Sequence, residues 1–337
     1  MGRVVRGGVG CGGRRGPYGR GMVEVPVGLV EAQVRFNGAA GREFVAGLPA
    51  LAGRMVEQWE LRRTGPAMHG VTALVLPVEC ADGARGVLKL QLVDEESVGE
   101  PVALRVWDGD GAVRLLRHDR LTGAMLLERL DEGRHLSGLA GRDPRAAVRV
   151  VAELLARLSA APAPAGMRGL GPMAAGLLAD VPRALGRLAD GRDRRVLRDC
   201  AAALAEVAGE PGDRLLHWDL HHDNVLGGGP DGRARWLAID PKPLAGDPGF
   251  ELLPALANGF AAGEVRWRFD LMTEVLGLDR ERARAWTLGR VLQNCLWDVA
   301  DAEAPGGGGG LGAGAGGAVR LEEQLVLAER LMGRRGS

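Results

Sequence analysis

Among the acid and amide side chains of the stretch Leu215 to Lys242, Asp219, Asn224 and Asp240 stand on loops bounded by short apolar runs. The first two belong to a His-x-Asp-x-x-x-x-Asn pattern that runs from His217 to Asn224. Phosphoryl transfer to a hydroxyl uses this pattern: the aspartate receives the proton of the attacking hydroxyl, and the asparagine offers an amide oxygen to magnesium. A second metal-binding aspartate is then needed at the end of a later strand, and Asp240 stands there, after Trp236-Leu237-Ala238-Ile239. Asn224 to Leu226 and Ala234 to Ile239 are expected to pair as a hairpin, with Gly227 to Gly232 as its turn, which returns Asp240 to Asn224. A lone Asp or His in a loop is usually a cap or a solvated side chain. Here the apolar flanks, the hairpin and the second aspartate coincide, and that context favours the chemical reading. His221, His222 and Asp223 do not make a zinc set, because adjacent histidines rarely face one ion and no third soft ligand lies at zinc spacing.

A site that handles phosphates also needs a fixed cation. Of the 43 cationic residues only Lys89 and Lys242 are lysine, so these two positions are candidates for a compact ammonium that a guanidinium cannot replace. Lys89 lies within the apolar strand sequence Val87 to Leu92, where a buried ammonium requires counter-charge. Phosphate oxygens and a glutamate would supply it. Glu100 is preferred over Glu95 and Glu96, because Pro101 marks a first helical turn and Glu100 directly precedes the apolar helix face. The connection Thr64 to Gly70, with His69 and Gly70 at its end, is placed to cover a nucleotide. Backbone groups of Glu128 to Leu130 are expected to meet an adenine edge at a hinge, after which the chain should enter helical sequence.

The elements that must position these residues follow from periodicity. Val27 to Phe36 and Ala40 to Trp59 repeat at helical spacing. Glu60 to Arg63, Val71 to Cys80 and Arg85 to Val93 predict an antiparallel meander, and Val113 to His118 and Ala124 to Leu130 predict two more strands. Helices are expected across Asp143 to Ala208, Glu264 to Leu276, Arg280 to Ala302 and Leu321 to Leu331, with Asp247 capping a helix that begins near Pro248. Three segments result: a disordered leader over 1–22, an N-terminal nucleotide-binding lobe over 23–130, and a C-terminal catalytic and substrate-binding lobe over 131–337 that carries a flexible glycine-rich loop at 305–318. Met22 is a candidate start. With 337 residues and 46% hydrophobic content the chain can bury a full core. A net charge of zero leaves no electrostatic footprint for nucleic acid or an anionic membrane, and no apolar run has the length of a membrane span. Cys11, Cys80, Cys200 and Cys295 are far apart and read as reduced thiols of a cytoplasmic protein.

Taken in this order, the strand meander, Lys89, Glu100, the hinge, Asp219, Asn224 and Asp240 resemble the aminoglycoside phosphotransferase family. The segments Met68 to Val78, Gly99 to Arg105, Leu126 to Leu130 and Ala238 to Pro248 look like its streptomycin 6-kinase branch, over about residues 27–304. The resemblance implies an α+β, protein-kinase-like two-lobed fold and an ATP- and Mg2+-dependent monomer that phosphorylates a small-molecule aminoglycoside, streptomycin first. It assigns Asp219 as catalytic base, Asn224 and Asp240 as magnesium ligands, and Lys89 with Glu100 as the phosphate-binding ion pair. Asp240-Pro241-Lys242 replaces the Asp-Phe-Gly of protein kinases, and Pro241 stiffens that turn. A polycationic acceptor would call for carboxylates, for which Glu251, Asp298, Asp301 and Glu303 are the candidates, Asp298, beside Trp297, first among them. Two alternatives stay open: a kinase of hydroxyurea, choline or a sugar, and a nucleotide-binding pseudokinase that acts as a partner module.

Overall fold

A computed structural model of the chain describes residues 23–229, 235–302 and 321–334. The expected leader, Cys11, the tip of the hairpin before Trp236 and the glycine tract 305–318 lie outside the described residues. Helix α1 (Val27–Gln58) joins both predicted N-terminal segments across a kink at Gly38 (φ 54°, ψ −120°). The kink brings Gly41 so close to the Gln33 carbonyl that a Cβ there would sit 2.1 Å from its oxygen, so only glycine fits.

The chain then builds one sheet from β1 (Arg62–Arg63), β2 (Met68–His69), β3 (Ala73–Glu79), β4 (Arg85–Gln91), β5 (Leu115–His118) and β6 (Met125–Glu128). Its order is β1-β3-β4-β6-β5, with β2 also on β3 and every pairing antiparallel. The loop expected from Thr64 to Gly70 is shorter than its sequence suggested: Met68 and His69 form a strand, and the turn lies over residues 70–72. Helix α2 (Glu100–Trp107) crosses between β4 and β5. One face of the sheet packs Leu74, Leu76, Leu88 and Leu126 against Leu48, Ala52 and Met55 of α1. The other presents Met125 and Leu127 to Ala103, Leu104 and Trp107 of α2, and this apolar packing runs on without a break into the helical remainder.

Past Leu130 the chain does not enter a helix directly. It forms β7 (Asp131–His135), which pairs antiparallel with the later strand Val225–Gly227, before α3 (Leu136–Ala140) begins. The sequence Asp-Glu-Gly-Arg-His shows no apolar alternation because four of its five residues are exposed, so its pairing left no sequence signal. Helices α4 (Pro144–Leu158), α5 (Leu170–Arg187) and α6 (Gly191–Val207) follow, then β8 (Arg214–Leu216), a 3-10 turn (His222–Asn224), β9 (Val225–Gly227), β10 (Trp236–Ala238), β11 (Leu244–Gly246), a second 3-10 turn (Pro248–Glu251), α7 (Leu253–Ala257), α8 (Val265–Leu276), α9 (Arg280–Asp301) and α10 (Leu321–Leu331). The architecture is α+β: an N-terminal antiparallel sheet and a mainly helical remainder. Among the described residues no helix is long and apolar enough to cross a membrane, and Cys80, Cys200 and Cys295 are unpaired.

Candidate active site

The predicted hairpin forms: β9 and β10 pair antiparallel with Ala238 opposite Val225, and the Ile239 N–H donates to the Asn224 carbonyl at 2.9 Å. Asp240 therefore begins one residue from the backbone of Asn224. Facing it from the sheet is Lys89, whose neighbours on β4 are the buried Leu88 and Leu90. Its ammonium donates to both oxygens of Glu100, at 2.7 and 2.8 Å, and also to Oδ1 of Asp240. Gln91 adds a 2.7 Å hydrogen bond to Glu100, so a carboxylate at 1% exposure is fully paired. Burial works against the charge on all three groups. It pushes Glu100 upward, whereas the neighbouring carboxylates hold Lys89 above its ordinary value and Lys89 holds Asp240 below its own. Asp240 reaches this position with φ 59°, a left-handed conformation in which a non-glycine residue stores of order 1–3 kcal/mol.

Asp219 sits on the loop after β8, and each neighbour fixes it. His217 is wholly buried, stacks on Trp107 at 6.2 Å, and lies 3.1 Å through Nε2 from the Ile239 carbonyl. A carbonyl only accepts, so Nε2 carries the proton and Nδ1 is left to accept from the Asp219 N–H at 3.4 Å. Burial pulls His217 down to about 4, which keeps this neutral tautomer. The Asn224 side-chain amide donates to the Asp219 carbonyl at 2.9 Å, turning its own oxygen away from that bond. His221 accepts from the Asp223 N–H and caps the turn that delivers Asn224. Between His217 and Asp219, Trp218 adopts φ 68°, and its N–H donates to Glu251 at 2.5 Å.

That bond accounts for the place of Glu251. Glu251 is 1% exposed and points inward to hold the strained Trp218, so it is closed to a cationic acceptor. Burial raises it to about 7, against hydrogen bonds from Trp218 and His217 that lower it. Asp298 is half-buried on α9, beside Trp297, which meets Trp218 edge-to-face. Its Oδ2 has no hydrogen-bond partner among the described residues, and burial lifts it to about 6.

Asp247 takes the capping role expected of it, accepting from Gly249 at 2.8 Å and from Arg282 at 2.7 Å. His69 and Gly70 lie at the β2–β3 turn, which α1 anchors: Gln33 donates to the Thr72 carbonyl at 2.7 Å, and His69 packs on Gly28. Of the hinge groups, the Glu128 N–H donates to Arg114 and its side chain accepts from the Arg114 N–H at 2.7 Å, while Leu130 is buried at 6%.

Arg168 and Arg290 escape the sequence reading, and Lys242 and Glu96, both named there, meet partners it did not give them. Arg168 and Arg290 stack on the Trp218 indole at 4.3 and 4.2 Å. Lys242 lies 5.9 Å from the same ring, 3.4 Å from Asp219 and 3.3 Å from Glu96. Arg290 is 6% exposed, and burial draws it down to about 10. Nothing distinguishes two arginines among 41 in the sequence, whereas the scarcity of lysine had marked Lys242. Glu96 had been considered only as a rival to Glu100, and it serves the other lysine. For magnesium, the donor set fits: Asn224 and Asp240 offer the hard oxygen ligands that the ion accepts alongside phosphates and water, and the Asp240 side chain is 44% exposed.

Residues 58–302 match the family described as aminoglycoside/hydroxyurea antibiotic resistance kinase. The chain is 66% identical to a hydroxyurea phosphotransferase of Kitasatospora aureofaciens, over 94% of this chain and 88% of that one. It is 52% identical to a streptomycin 6-kinase of Streptomyces glaucescens, over 84% and 93% respectively. A solved aminoglycoside phosphotransferase in ternary complex with ADP and hygromycin B superposes with TM-score 0.53 at 14% identity, over 83% of this chain and 96% of that one, a likeness of fold.

Proposed function

The chain belongs to the aminoglycoside/hydroxyurea antibiotic resistance kinase family, and on that premise we propose that it transfers the γ-phosphoryl group of ATP to the hydroxyl of a small acceptor, hydroxyurea before streptomycin. The observation that carries the phosphotransfer reading is Lys89 bridging Glu100 and Asp240. In this reading residues 23–130 hold the nucleotide and 131–337 the acceptor. The β2–β3 turn with His69 and Gly70 covers the phosphates, and the backbone from Glu128 to Leu130 meets the adenine. Asn224 and Asp240 would hold Mg2+, which when bound supplies positive charge to the phosphate oxygens. Asp219 takes the proton of the acceptor hydroxyl as its oxygen bonds to phosphorus. The bond from phosphorus to the bridging oxygen breaks, and its electron pair leaves with ADP.

The choice of acceptor rests on charge. Arg168 and Lys242, both part-exposed, lie on Trp218 next to Asp219, and Glu251, one of the four carboxylates expected to greet a polycation, is buried. Like charges brought together at a binding surface cost several kcal/mol, which favours the small uncharged hydroxyurea. The half-buried Asp298, with its unpaired oxygen, is the observation on the side of streptomycin.

The test is ATP turnover with hydroxyurea, streptomycin, choline and a sugar, with and without Mg2+. Transfer to hydroxyurea with a higher kcat/KM than to streptomycin is expected, and Asp219→Asn should lower it by at least ~100-fold, the scale of general-base catalysis. Preference for streptomycin would overturn the acceptor assignment. Undiminished turnover by Asp219→Asn would remove that residue from its role.

A further inference from the structure

The only two lysines of the chain stand in matching arrangements. Lys89 bridges Glu100, at the start of α2, to Asp240, and Lys242 bridges Glu96, just before α2, to Asp219. Each ammonium thus ties the sheet side of the site to one of its two aspartates. The second bridge is built. The Asp94 carboxylate accepts from the N–H groups of Glu96 (3.0 Å) and Ser97 (2.8 Å) and from the Ser97 hydroxyl (2.7 Å), which sets the direction of Glu96. The Lys242 N–H donates to the His217 carbonyl at 3.0 Å, its carbonyl accepts from Arg168 at 3.0 Å, and its side chain lies over the Trp218 indole. Yet the ammonium contacts are loose. At 3.3 and 3.4 Å they are longer than the 2.7–2.9 Å of a well-made charge-assisted bond, and the side chain keeps 26% exposure where Lys89 keeps 6%.

Lys89 is closed around its partners, whereas Lys242 is held near its partners and open on one side. Its ammonium lies 3.4 Å from Asp219, where phosphoryl transfer would occur. The imperfect contact with Glu96 can be given up for phosphoryl oxygens by side-chain rotation alone. A guanidinium is broader and prefers paired in-plane acceptors, so it would not pass between Glu96 and Asp219 in the same way.

We propose that Lys242 is a second phosphate-contacting cation: it leaves Glu96 when a nucleoside triphosphate binds and meets the phosphoryl group as that group passes toward the acceptor held at Asp219. This rests on the phosphotransferase reading above. The acceptor proton still goes to Asp219 and the bridging oxygen keeps its electron pair, while the ammonium keeps its three protons and neutralises charge on the transferring oxygens. Glu96 is a positioning residue that keeps Lys242 in place until the nucleotide arrives.

The experiment compares binding of ADP with that of AMP-PNP, which carries the third phosphate, in the wild type and in Lys242→Met, and measures kcat at saturating ATP and acceptor. The expected result is an ADP affinity within about threefold of wild type, an AMP-PNP affinity about tenfold weaker, and kcat lower by about 100-fold, the effect of removing one preorganised charge-stabilising group. A purely structural Lys242 would change both nucleotides alike or neither. An unchanged AMP-PNP to ADP ratio together with near-wild-type kcat overturns the proposal. Lys242→Gln keeps a donor to Glu96 and lacks the charge, and it is read by the same ratio if the methionine variant does not fold. Wild-type turnover is measured first: its absence for every acceptor sinks the phosphotransferase reading, and its presence with an indifferent Lys242 sinks only this one.

Discussion

Glu251→Gln isolates the energetics of the loop that carries Asp219. The Glu251 carboxyl is 1% exposed, and burial raises it from 4.5 to about 7 even though the Trp218 N–H donates to it. Below pH 4.5 the group is protonated whether the chain is folded or not, and it contributes no pH dependence. Between 4.5 and 7 the unfolded chain gives up the proton first, the folded chain binds more protons, and stability falls as the pH rises. Above 7 both forms are ionised and the cost stays constant. At 1.36 kcal/mol per pKa unit the cost is about 3 kcal/mol, of which about 2.5 accrues between pH 5 and pH 8. Glutamine never ionises, and its carbonyl still accepts from Trp218. The difference in unfolding free energy between the variant and the wild type, from denaturant titrations at pH 5, 6, 7 and 8, should therefore move by about 2.5 kcal/mol in favour of glutamine. Taking the difference removes the buried histidines, which slope the other way. The KM for the acceptor should stay within a few-fold, because the side chain does not face it. A difference that is flat in pH, or an acceptor KM that rises with the variant, would refute the reasoning.

Lys89→Met leaves Glu100 buried without its cation, and a loss of about 3 kcal/mol is expected in the denaturation midpoint, near the cost of breaking a buried pair from one side. Asp247→Ala removes both the cap on Gly249 and the Arg282 contact, and a thermal melt should record a loss of about 1–2 kcal/mol. His217, drawn down to about 4 by burial, should remain neutral with the proton on Nε2 throughout pH 5 to 8. A 15N-resolved imidazole spectrum checks this, and a midpoint near 6.5 would contradict it. Because its folded pKa is depressed, stability from this group is present above 6.5 and is lost as the pH falls toward 4.

How far the sequence could be read followed from the range of the interactions involved. The β9–β10 hairpin, the cap at Asp247 and the pairing of Lys89 with Glu100 rest on neighbours close in the chain, and local pattern reveals such contacts. β7 has no apolar alternation and takes its pairing from β9, far along the chain, so its helical expectation failed. The burial of Glu251 has a related cause: an acidic residue two positions after a glycine reads as surface, and only the fold brings it beneath Trp218. Arg168 and Arg290 approach the indole from α5's leading loop and from α9, and no sequence spacing joins those elements to the loop after β8.

The rarity of lysine also has a practical side. Apart from its amino terminus the chain carries primary amines only at Lys89 and Lys242, and both lie in the candidate site. Lys89 is sealed at 6% exposure and Lys242 is open at 26%. A mild acylating or reductively alkylating reagent, which on most proteins decorates the whole surface, becomes site-directed here. One modified side chain, detected by mass and shielded when nucleotide is added, would report occupancy of the cleft without any engineered label.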